Sequence, residues 1–303
     1  ELLWDTIREA IPFIITGSAI QLFQIIDQMT FINVMNWFTD YTNSQLLVMF
    51  SYFSANPNKI TMILIAVATS IGGVGIPLLT ENYVKGDFKA AARLIQDNLS
   101  MLLLFILPAT IGAVLVSRPL YTVFYGQPDN LALGLFVFAL LQTIILSFYT
   151  VLAPMIQALF QNRKAIRYFL YGVLAKLVLQ LPLVWLFQAY GPLLSTTVGL
   201  IVPIVLMYRE IRDITGLNPK NLVKRSLLTC ILTLVMIVGV TLADLVLCLI
   251  FQPFGRISSM IYLVFIGGIG IVAYVGLALR VRLLDRFVGE EKATRIRNKF
   301  HVS

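Results

Sequence analysis

Long apolar segments recur along the whole chain, and they constrain its fold more than any other feature. One of them, Tyr168 to Phe187, reads YFLYGVLAKLVLQLPLVWLF and contains a single charged residue. A helix needs about 20 mostly apolar residues to cross a membrane, and in lipid it satisfies its own backbone hydrogen bonds. Eight segments meet this requirement, and we predict spans near residues 10–33, 59–80, 98–117, 130–160, 166–187, 191–209, 226–251 and 258–280.

The composition agrees with a membrane protein. Hydrophobic residues make up 58% of the 303 residues, charged residues make up only 13%, and the mean hydropathy is +0.86. Soluble domains carry about 25% charged residues, so most of this chain must face lipid or other buried helices. We therefore predict an all-α polytopic membrane protein. No signal-peptide pattern opens the sequence and residue 1 is Glu rather than Met, so we expect the chain to be part of a longer protein.

Lysine and arginine are distributed unequally between the two sides of these spans. Of the 23 such residues, 19 fall on one side, Lys59, Arg118 and Arg256 fall on the other, and Lys176 lies inside a span. Cytoplasmic loops carry the excess of positive charge in membrane proteins, which predicts that both ends of the chain are cytoplasmic. The net charge of +8 reflects this bias, and it gives no reason to expect nucleic acid as a partner.

Glycine and proline within the spans predict close helix packing and bends. Two glycine clusters, SIGGVGIP (70–77) and FIGGIGIVAYVG (265–276), lie inside apolar segments. A dinucleotide-binding loop would need a preceding strand, so helix packing through small residues is the better interpretation. Five prolines lie in or beside spans: Pro77, Pro108, Pro154, Pro182 and Pro203. Each removes a backbone donor and can kink its helix, and bent helices around a cavity are more typical of a transporter than of a simple anchor.

Lys176 lies close to the middle of the fifth predicted span. It follows Arg167 by nine residues, which places it about 14 Å into a hydrocarbon core about 30 Å thick. Charged residues at this depth usually face the interior of the bundle or a water-filled cavity, and Gln180 lies one turn away on the same face. Two interpretations remain open: Lys176 lines a hydrated cavity, or it is a structural lysine bonded to carbonyls or to a carboxylate.

The first predicted span carries a polar stripe. Four residues fall within about 120° of a helix: Gln21, Gln24, Asp27 and Gln28. Asp27 lies about 25 Å from the inner edge of its span, against about 14 Å for Lys176, so direct pairing is not expected in straight helices, although a bend in the first span would narrow the gap. Asp27 is a candidate for ion coupling, and a hydrogen-bonded seam between helices is the alternative.

Several segments together resemble a known family. They read REAIPFIITGSAIQLFQIID (8–27), ATSIGGVGIPLLTENYVKGDFKAAARLI (68–95), LPATIGAVLVSRPLYTVFYG (107–126) and APMIQALFQNRKAIRYFLYGVLAKLVLQLPLVW (153–185). In order and spacing the sequence resembles the polysaccharide-transport branch of the MATE-like (MOP) exporter superfamily. Within it, the sequence is most similar to the stage V sporulation protein B and MurJ-type lipid II flippases. The resemblance runs from Arg8 to about Arg280, and no single motif in it is specific.

The resemblance implies fourteen spans, arranged as two six-helix lobes plus two extra helices. Residues 1–209 would form the second lobe (spans 7–12), 210–225 a cytoplasmic loop, 226–280 the two additional helices (spans 13 and 14) and 281–303 a basic cytoplasmic tail. The N-terminal lobe is expected in the same polypeptide, upstream of this segment. One cavity arginine of the family belongs to the span equivalent to 59–80, where this sequence has none, so no site is transferred to that span.

The family's function implies that the chain takes part in flipping a lipid-linked oligosaccharide, such as lipid II or a related polysaccharide repeat unit, across the bacterial plasma membrane by alternating access. Such a substrate has an anionic diphosphate, a sugar moiety and an apolar tail. Lys176 and Gln180 are the candidate contacts for its charged head, and Gln21, Gln24 and Gln28 are candidates for its sugar hydroxyls. No cofactor or metal is expected beyond a coupling ion, Na⁺ or H⁺, or the membrane potential, and membrane lipids are the other expected partners.

The sequence leaves two other functional classes to compare: an exporter of another substrate and a membrane-embedded enzyme. A cation-coupled multidrug exporter of the same fold would use carboxylates as its main cavity charges, and Lys176 argues against it. A membrane-embedded enzyme would need a histidine or a pair of carboxylates near a membrane face. The single histidine, His301, lies in the polar tail, and Asp40 and Asp129 are isolated, so we do not predict an enzyme.

Overall fold

The computed structural model describes residues 2–283, together with residues 285, 294 and 298. Within residues 2–283 it contains helices and their connections, and the predicted all-α class is confirmed. The α-helices are α1 (Leu2–Gly17), α2 (Ala19–Phe38), α3 (Asn43–Phe50), α4 (Asn56–Val74), α5 (Ile76–Val84), α6 (Phe88–Leu115), α7 (Ser117–Tyr125), α8 (Asn130–Ala158), α9 (Asn162–Phe187), α10 (Gly191–Thr215), α11 (Pro219–Ile250) and α12 (Arg256–Arg280). A π-helical turn, Ser51–Ala55, joins α3 to α4, and a 3₁₀ turn, Gln188–Tyr190, joins α9 to α10.

Six helical runs of the described chain are long and apolar enough to cross a membrane, and a seventh is obtained when α1 and α2 are taken as one bent span. One of the six runs, Asn162–Thr215, has 54 residues. At about 1.5 Å per residue, a single straight helix of that length would be more than twice as long as a bilayer core is thick. The run instead reverses at the 3₁₀ turn, so it supplies two spans and accounts for the eight that the sequence predicts.

Close contact between two glycines demonstrates the reversal. A Cβ added to Gly172 of α9 would collide with the backbone oxygen of Gly199 in α10 and with the ring of Pro203. Residues 27 positions apart would be about 40 Å apart on one helix, so α9 and α10 form an antiparallel hairpin. The two glycines let the helix backbones approach each other, as small residues commonly do in membrane proteins.

The first span is bent. The axis of α2 deviates by 57° from that of α1, and the break between the two helices is at Ser18. Ser18 N–H still donates to the Ile14 carbonyl at 3.0 Å, but the last carbonyls of a helix lack intrahelical partners, so those of α1 that follow Ile14 need partners from outside the helix. The sequence has no proline at this position, since Pro12 lies more than a turn earlier. The bend therefore depends on hydrogen-bond donors that neighbouring helices supply to these carbonyls.

The chain divides into two compact units. Among the described residues, the first unit comprises those up to Leu102 together with Asn130–Pro219, and the second comprises Leu103–Asp129 together with those from Lys220 onward. In the first unit, α8 packs against α4 and α10, and α9 packs against α10, α2 and α1. In the second, α7 packs against α12, and Met236 and Val240 of α11 form an apolar cluster with Tyr262 and Ile266 of α12.

The predicted cytoplasmic loop at residues 210–225 is mostly helical. Helix α10 continues to Thr215 and α11 begins at Pro219. Gly216 ends α10 in a left-handed conformation with φ of 66°, which glycine adopts without steric cost. Proline is favoured in the first turn of a helix because it has no N–H to leave unpaired. Only three residues therefore connect the two helices. The predicted basic tail at 281–303 lies mostly outside the described residues.

Candidate functional site

Polar side chains from three helices meet inside the first unit. They come from α2, α9 and α10, and we call them the buried polar cluster: Asp27, Thr30, Lys176, Gln180, Ser195 and Thr196. All of them except Thr30 are buried. The bend in the first span and the α9–α10 hairpin bring them together from distant parts of the sequence.

Lys176 lies at the centre of this cluster. Its Nζ donates to Asp27 Oδ1 at 2.7 Å, to Thr196 Oγ1 at 2.7 Å and to Ser195 Oγ at 3.2 Å. Three acceptors match the three N–H groups of an ammonium. Two further oxygens, Gln180 Oε1 and the Pro192 carbonyl, each lie 3.5 Å from Nζ, so five oxygen atoms surround the charge.

Gln180 connects the carboxylate to the hydroxyl groups. Its amide nitrogen donates to Asp27 Oδ1 at 3.0 Å and to Thr30 Oγ1 at 3.1 Å, and its amide oxygen accepts from Ser195. One oxygen of Asp27 thus accepts hydrogen bonds from both Lys176 and Gln180. Burying two charges costs several kcal/mol for each ion unless the ions are paired and hydrogen-bonded. This network supplies both the ion pair and the hydrogen bonds.

A small cavity of about 50 Å³ adjoins the cluster on the Asp27 side. Its polar lining consists of Gln24, Asp27, Ser54, Asn58, Thr61, Gln142 and Thr196. A polar space of this size holds a few water molecules. The Asp27 side chain keeps 10% of its surface accessible, whereas that of Lys176 keeps 0%. The carboxylate is therefore the member of the ion pair that a small solute can reach.

A helical distortion between α3 and α4 shapes the cavity. The π-helical turn Ser51–Ala55 directly precedes α4 and contributes Ser54, and Pro57 and Asn58 follow in the first turn of α4. Such turns insert an extra residue into a helix and occur frequently at functional sites. Gln24 of α2 donates to Asn58 Oδ1 at 3.2 Å across the cavity, so the distorted segment faces the polar stripe of the first span.

The structure separates the residues that the sequence grouped on the first span. Gln24 and Asp27 line the cavity, whereas Gln21 and Gln28 are exposed. The expectation that Asp27 and Lys176 do not pair directly is wrong, because the depth estimate assumed straight helices and the first span is bent by 57°. Lys176 also does not line the cavity in this structure, since its charge is fully enclosed.

Sequence reasoning missed three residues of this region. Ser195 and Thr196 bind the ammonium, but hydroxyl residues are common in spans because they can bond to their own helix backbone. Gln142 of α8 is buried and donates to the Leu193 carbonyl at 2.7 Å and to Thr197 Oγ1 at 2.9 Å. A glutamine near the middle of the fourth span is the same kind of signal that singled out Lys176.

No protein-family model matches the sequence. Among curated proteins, the lipid II flippase MurJ of Bacillus subtilis (strain 168) is 29% identical over 293 residues, which covers 95% of this chain and 54% of that protein. A solved structure of lipid II flippase MurJ in an inward closed conformation aligns with a TM-score of 0.61 at 17% identity, over 88% of this chain and 51% of the other. The chain has the fold of half a MurJ-type flippase.

The resemblance to MurJ-type flippases is thus confirmed along nearly the whole chain, in sequence and in fold. The chain spans about half the length of the MurJ proteins that it matches. It is a multi-pass membrane protein, and its buried polar cluster lies within the region that aligns with MurJ.

Proposed function

We propose that the chain is part of a flippase that moves a lipid-linked oligosaccharide cell-wall precursor, lipid II or a related repeat unit, across the bacterial cell membrane. The similarity to the Bacillus subtilis MurJ along nearly the whole chain is the observation that carries this proposal. The proposal places both ends of this segment on the cytoplasmic side, as the distribution of lysine and arginine favours.

Transport by alternating access requires a second lobe. The chain matches about half of MurJ, so the substrate path would lie between this segment and an N-terminal lobe of the same polypeptide. The exposed Gln21 and Gln28 of α2 are candidates to face that path and to bond to sugar hydroxyls. Residues 1–303 alone are then not expected to flip lipid.

The Asp27–Lys176 pair is the proposed link between ion binding and substrate binding. A proton or Na⁺ that enters the small cavity reaches Asp27, because Asp27 is the accessible member of the pair. Neutralising the carboxylate removes the partner that holds the ammonium, and an unpaired buried charge is costly. Lys176 then becomes available to another anion, such as the diphosphate of the substrate, with Gln180 beside it.

A cation-coupled multidrug exporter of the same fold is the second candidate. The observation that favours it is the accessibility of the carboxylate, since a cationic substrate would be attracted to Asp27. The fully enclosed ammonium of Lys176 counts against it, because opening the pair would place a like charge next to a cationic substrate.

Reconstitution in liposomes distinguishes the two functions. The full-length protein containing this segment is expected to move a fluorescent undecaprenyl-diphosphate disaccharide between leaflets and to leave a cationic dye undisturbed. Lys176→Met removes the charge at nearly constant length and is expected to reduce lipid movement at least tenfold. Arg118→Met, which removes an exposed charge on a short helix, serves as the matched control. Dye efflux without lipid movement would favour the exporter. A normal rate of lipid movement in the Lys176→Met variant would show that Lys176 does not bind the substrate.

A further inference from the structure

Tyr149 of α8 contacts the bend in the first span and also the aromatic ring of Phe169, which packs next to the buried ion pair through Phe23. Its hydroxyl donates to the carbonyl of Thr16 at 3.1 Å. Thr16 lies in the last turn of α1, two residues before the break at Ser18. Carbonyls of a last helical turn need a partner from outside the helix, and here a side chain from another span provides it.

A second residue of α8 binds the same turn. The amide of Gln157 donates to Thr16 Oγ1 at 2.6 Å and to the Pro12 carbonyl at 3.3 Å, and Thr16 Oγ1 donates to the Pro12 carbonyl at 2.8 Å. Tyr149, Gln157 and Thr16 are all buried. Unpaired polar groups are costly inside a bundle, so these bonds favour the bent form over a straight one that would break them.

The ring of Tyr149 is connected through Phe169 to α2, the helix that follows the break. It lies 6.4 Å from the ring of Phe169 in α9, and Phe169 stacks on Phe23 of α2 with a centroid distance of 6.1 Å. The Phe23 ring lies 5.5 Å from Lys176 Nζ, within the range of a cation–π contact. All three aromatic side chains are at most 1% exposed, so they form a continuous packed path from the bend to the ammonium.

We propose that Tyr149 is a positioning residue that couples the bend at Ser18 to the Asp27–Lys176 pair. Its hydroxyl holds α1 at the break, and its ring, through Phe169, supports Phe23 on α2. The bend in turn brings Asp27 within reach of Lys176. Straightening the first span breaks the Tyr149 bond and withdraws Asp27, so the two events occur together. The expected effect on lipid movement rests on the proposed function. The coupling of the bend to the ion pair through Tyr149 does not depend on that function.

Distance measurement between spin labels tests the geometry without any substrate. Cys230 and Cys248 are first replaced by serine in the full-length protein, and labels are placed at Trp4 in α1 and Trp37 in α2, which are both exposed. At about 1.5 Å per residue, the two positions are about 50 Å apart on a straight helix and about 44 Å apart with the observed bend. The unchanged protein is expected to show the shorter distance.

Tyr149→Phe keeps the ring and removes only the hydroxyl. It is expected to transfer part of the population to a distance about 6 Å longer. Tyr262→Phe is the matched control, because Tyr262 is a buried tyrosine of α12 in the other unit, and it should leave the distribution unchanged. An unchanged distribution in Tyr149→Phe would overturn the proposal, whatever the result for Gln157→Leu.

Lipid movement provides the second readout. If the proposed function holds, Tyr149→Phe should lower the rate of flipping while the protein retains its thermal stability within a few degrees. If the unchanged protein moves no lipid, the proposed function fails, and the distance result still decides the role of Tyr149.

Discussion

Lys176 Nζ and Asp27 Oδ1 lie 2.7 Å apart although the two residues are separated by 149 positions in the sequence. Each charge offsets the cost of removing the other from water. The pair is asymmetric, because the carboxylate borders a small polar cavity and the ammonium is enclosed. This asymmetry decides which residue an ion reaches first, and it determines what single substitutions at the two positions should do.

Removing one partner of the pair should destabilise the protein more than removing both. Lys176→Met leaves Asp27 buried without its counter-charge, and breaking a buried pair in this way costs about 3–5 kcal/mol. The double variant Asp27→Asn/Lys176→Met replaces the pair by neutral groups of similar shape and should recover most of that loss. Thermal unfolding of Asp27→Asn, Lys176→Met and the double variant in detergent measures the coupling between the two charges.

The control for this cycle is an exposed ion pair. Lys85 pairs with Glu81 within one helical turn, and the two side chains are 65% and 53% exposed. Lys85→Met should have little effect on stability, because water screens the charges of a surface pair. Equal destabilisation by Lys85→Met and Lys176→Met would show that the buried location has no effect.

Asp27→Asn tests the coupling role. Asparagine keeps the shape of the side chain and can still bond to Gln180, but it cannot bind a proton or attract a cation. Among the described residues, Lys176 is the charged group that contacts Asp27. Lipid movement by the variant should no longer vary with external pH or Na⁺ concentration, whereas the unchanged protein should respond to one of them. Asp244→Asn, which neutralises a carboxylate in α11, should keep the response, and a response retained by the Asp27 variant would rule out coupling through this residue.

Gly172→Ala should separate α9 from α10. The added methyl group would meet the Gly199 backbone oxygen and the Pro203 ring, and overpacking of this kind typically costs about 1–3 kcal/mol. Because Lys176 of α9 binds Thr196 of α10, the same change should weaken the buried polar cluster. Thermal unfolding checks the loss of stability.

Gly267→Ala provides the comparison for the glycine contact. Apart from the adjacent residues and the backbone of its own helix, no heavy atom of the chain lies within 4 Å of the position that its Cβ would take. Alanine is favoured over glycine within a helix by about 0.5–1 kcal/mol. This variant should be as stable as the unchanged protein or slightly more stable. A loss as large as that of Gly172→Ala would indicate that neither result reports on the α9–α10 contact.

Cysteine labelling tests the orientation predicted from the lysine and arginine distribution. Helix α8 is 29 residues long, or about 43 Å, so its two ends must lie on opposite sides of a hydrocarbon core about 30 Å thick. After replacement of Cys230 and Cys248, a cysteine at Asn130 should react with an impermeant reagent on intact cells. A cysteine at Arg163, just beyond the other end of α8, should react only after permeabilisation. The reverse pattern would contradict the orientation.

Much of the candidate site was visible in the sequence as individual residues. Asp27, Lys176 and Gln180 stand out because ionisable and amide groups are rare within apolar segments, and that rarity is a local property. Ser195 and Thr196 carried no comparable signal, since hydroxyl groups in spans can bond to their own backbone. Gln142 is an amide within an apolar segment, as Gln180 is, so the same local signal could have predicted it.

The amino-acid sequence by itself determined the membrane class, the number of spans and the resemblance to the flippase family, because apolar length and segment order are read along the chain. Only the tertiary structure decided that Asp27 pairs with Lys176 and that Gln21 and Gln28 do not join them. The pairing depends on a 57° bend without a proline at the break. That bend is held by Tyr149 and Gln157 of another helix. A contact of this kind arises from the packing of distant segments, and no local pattern of residues specifies it.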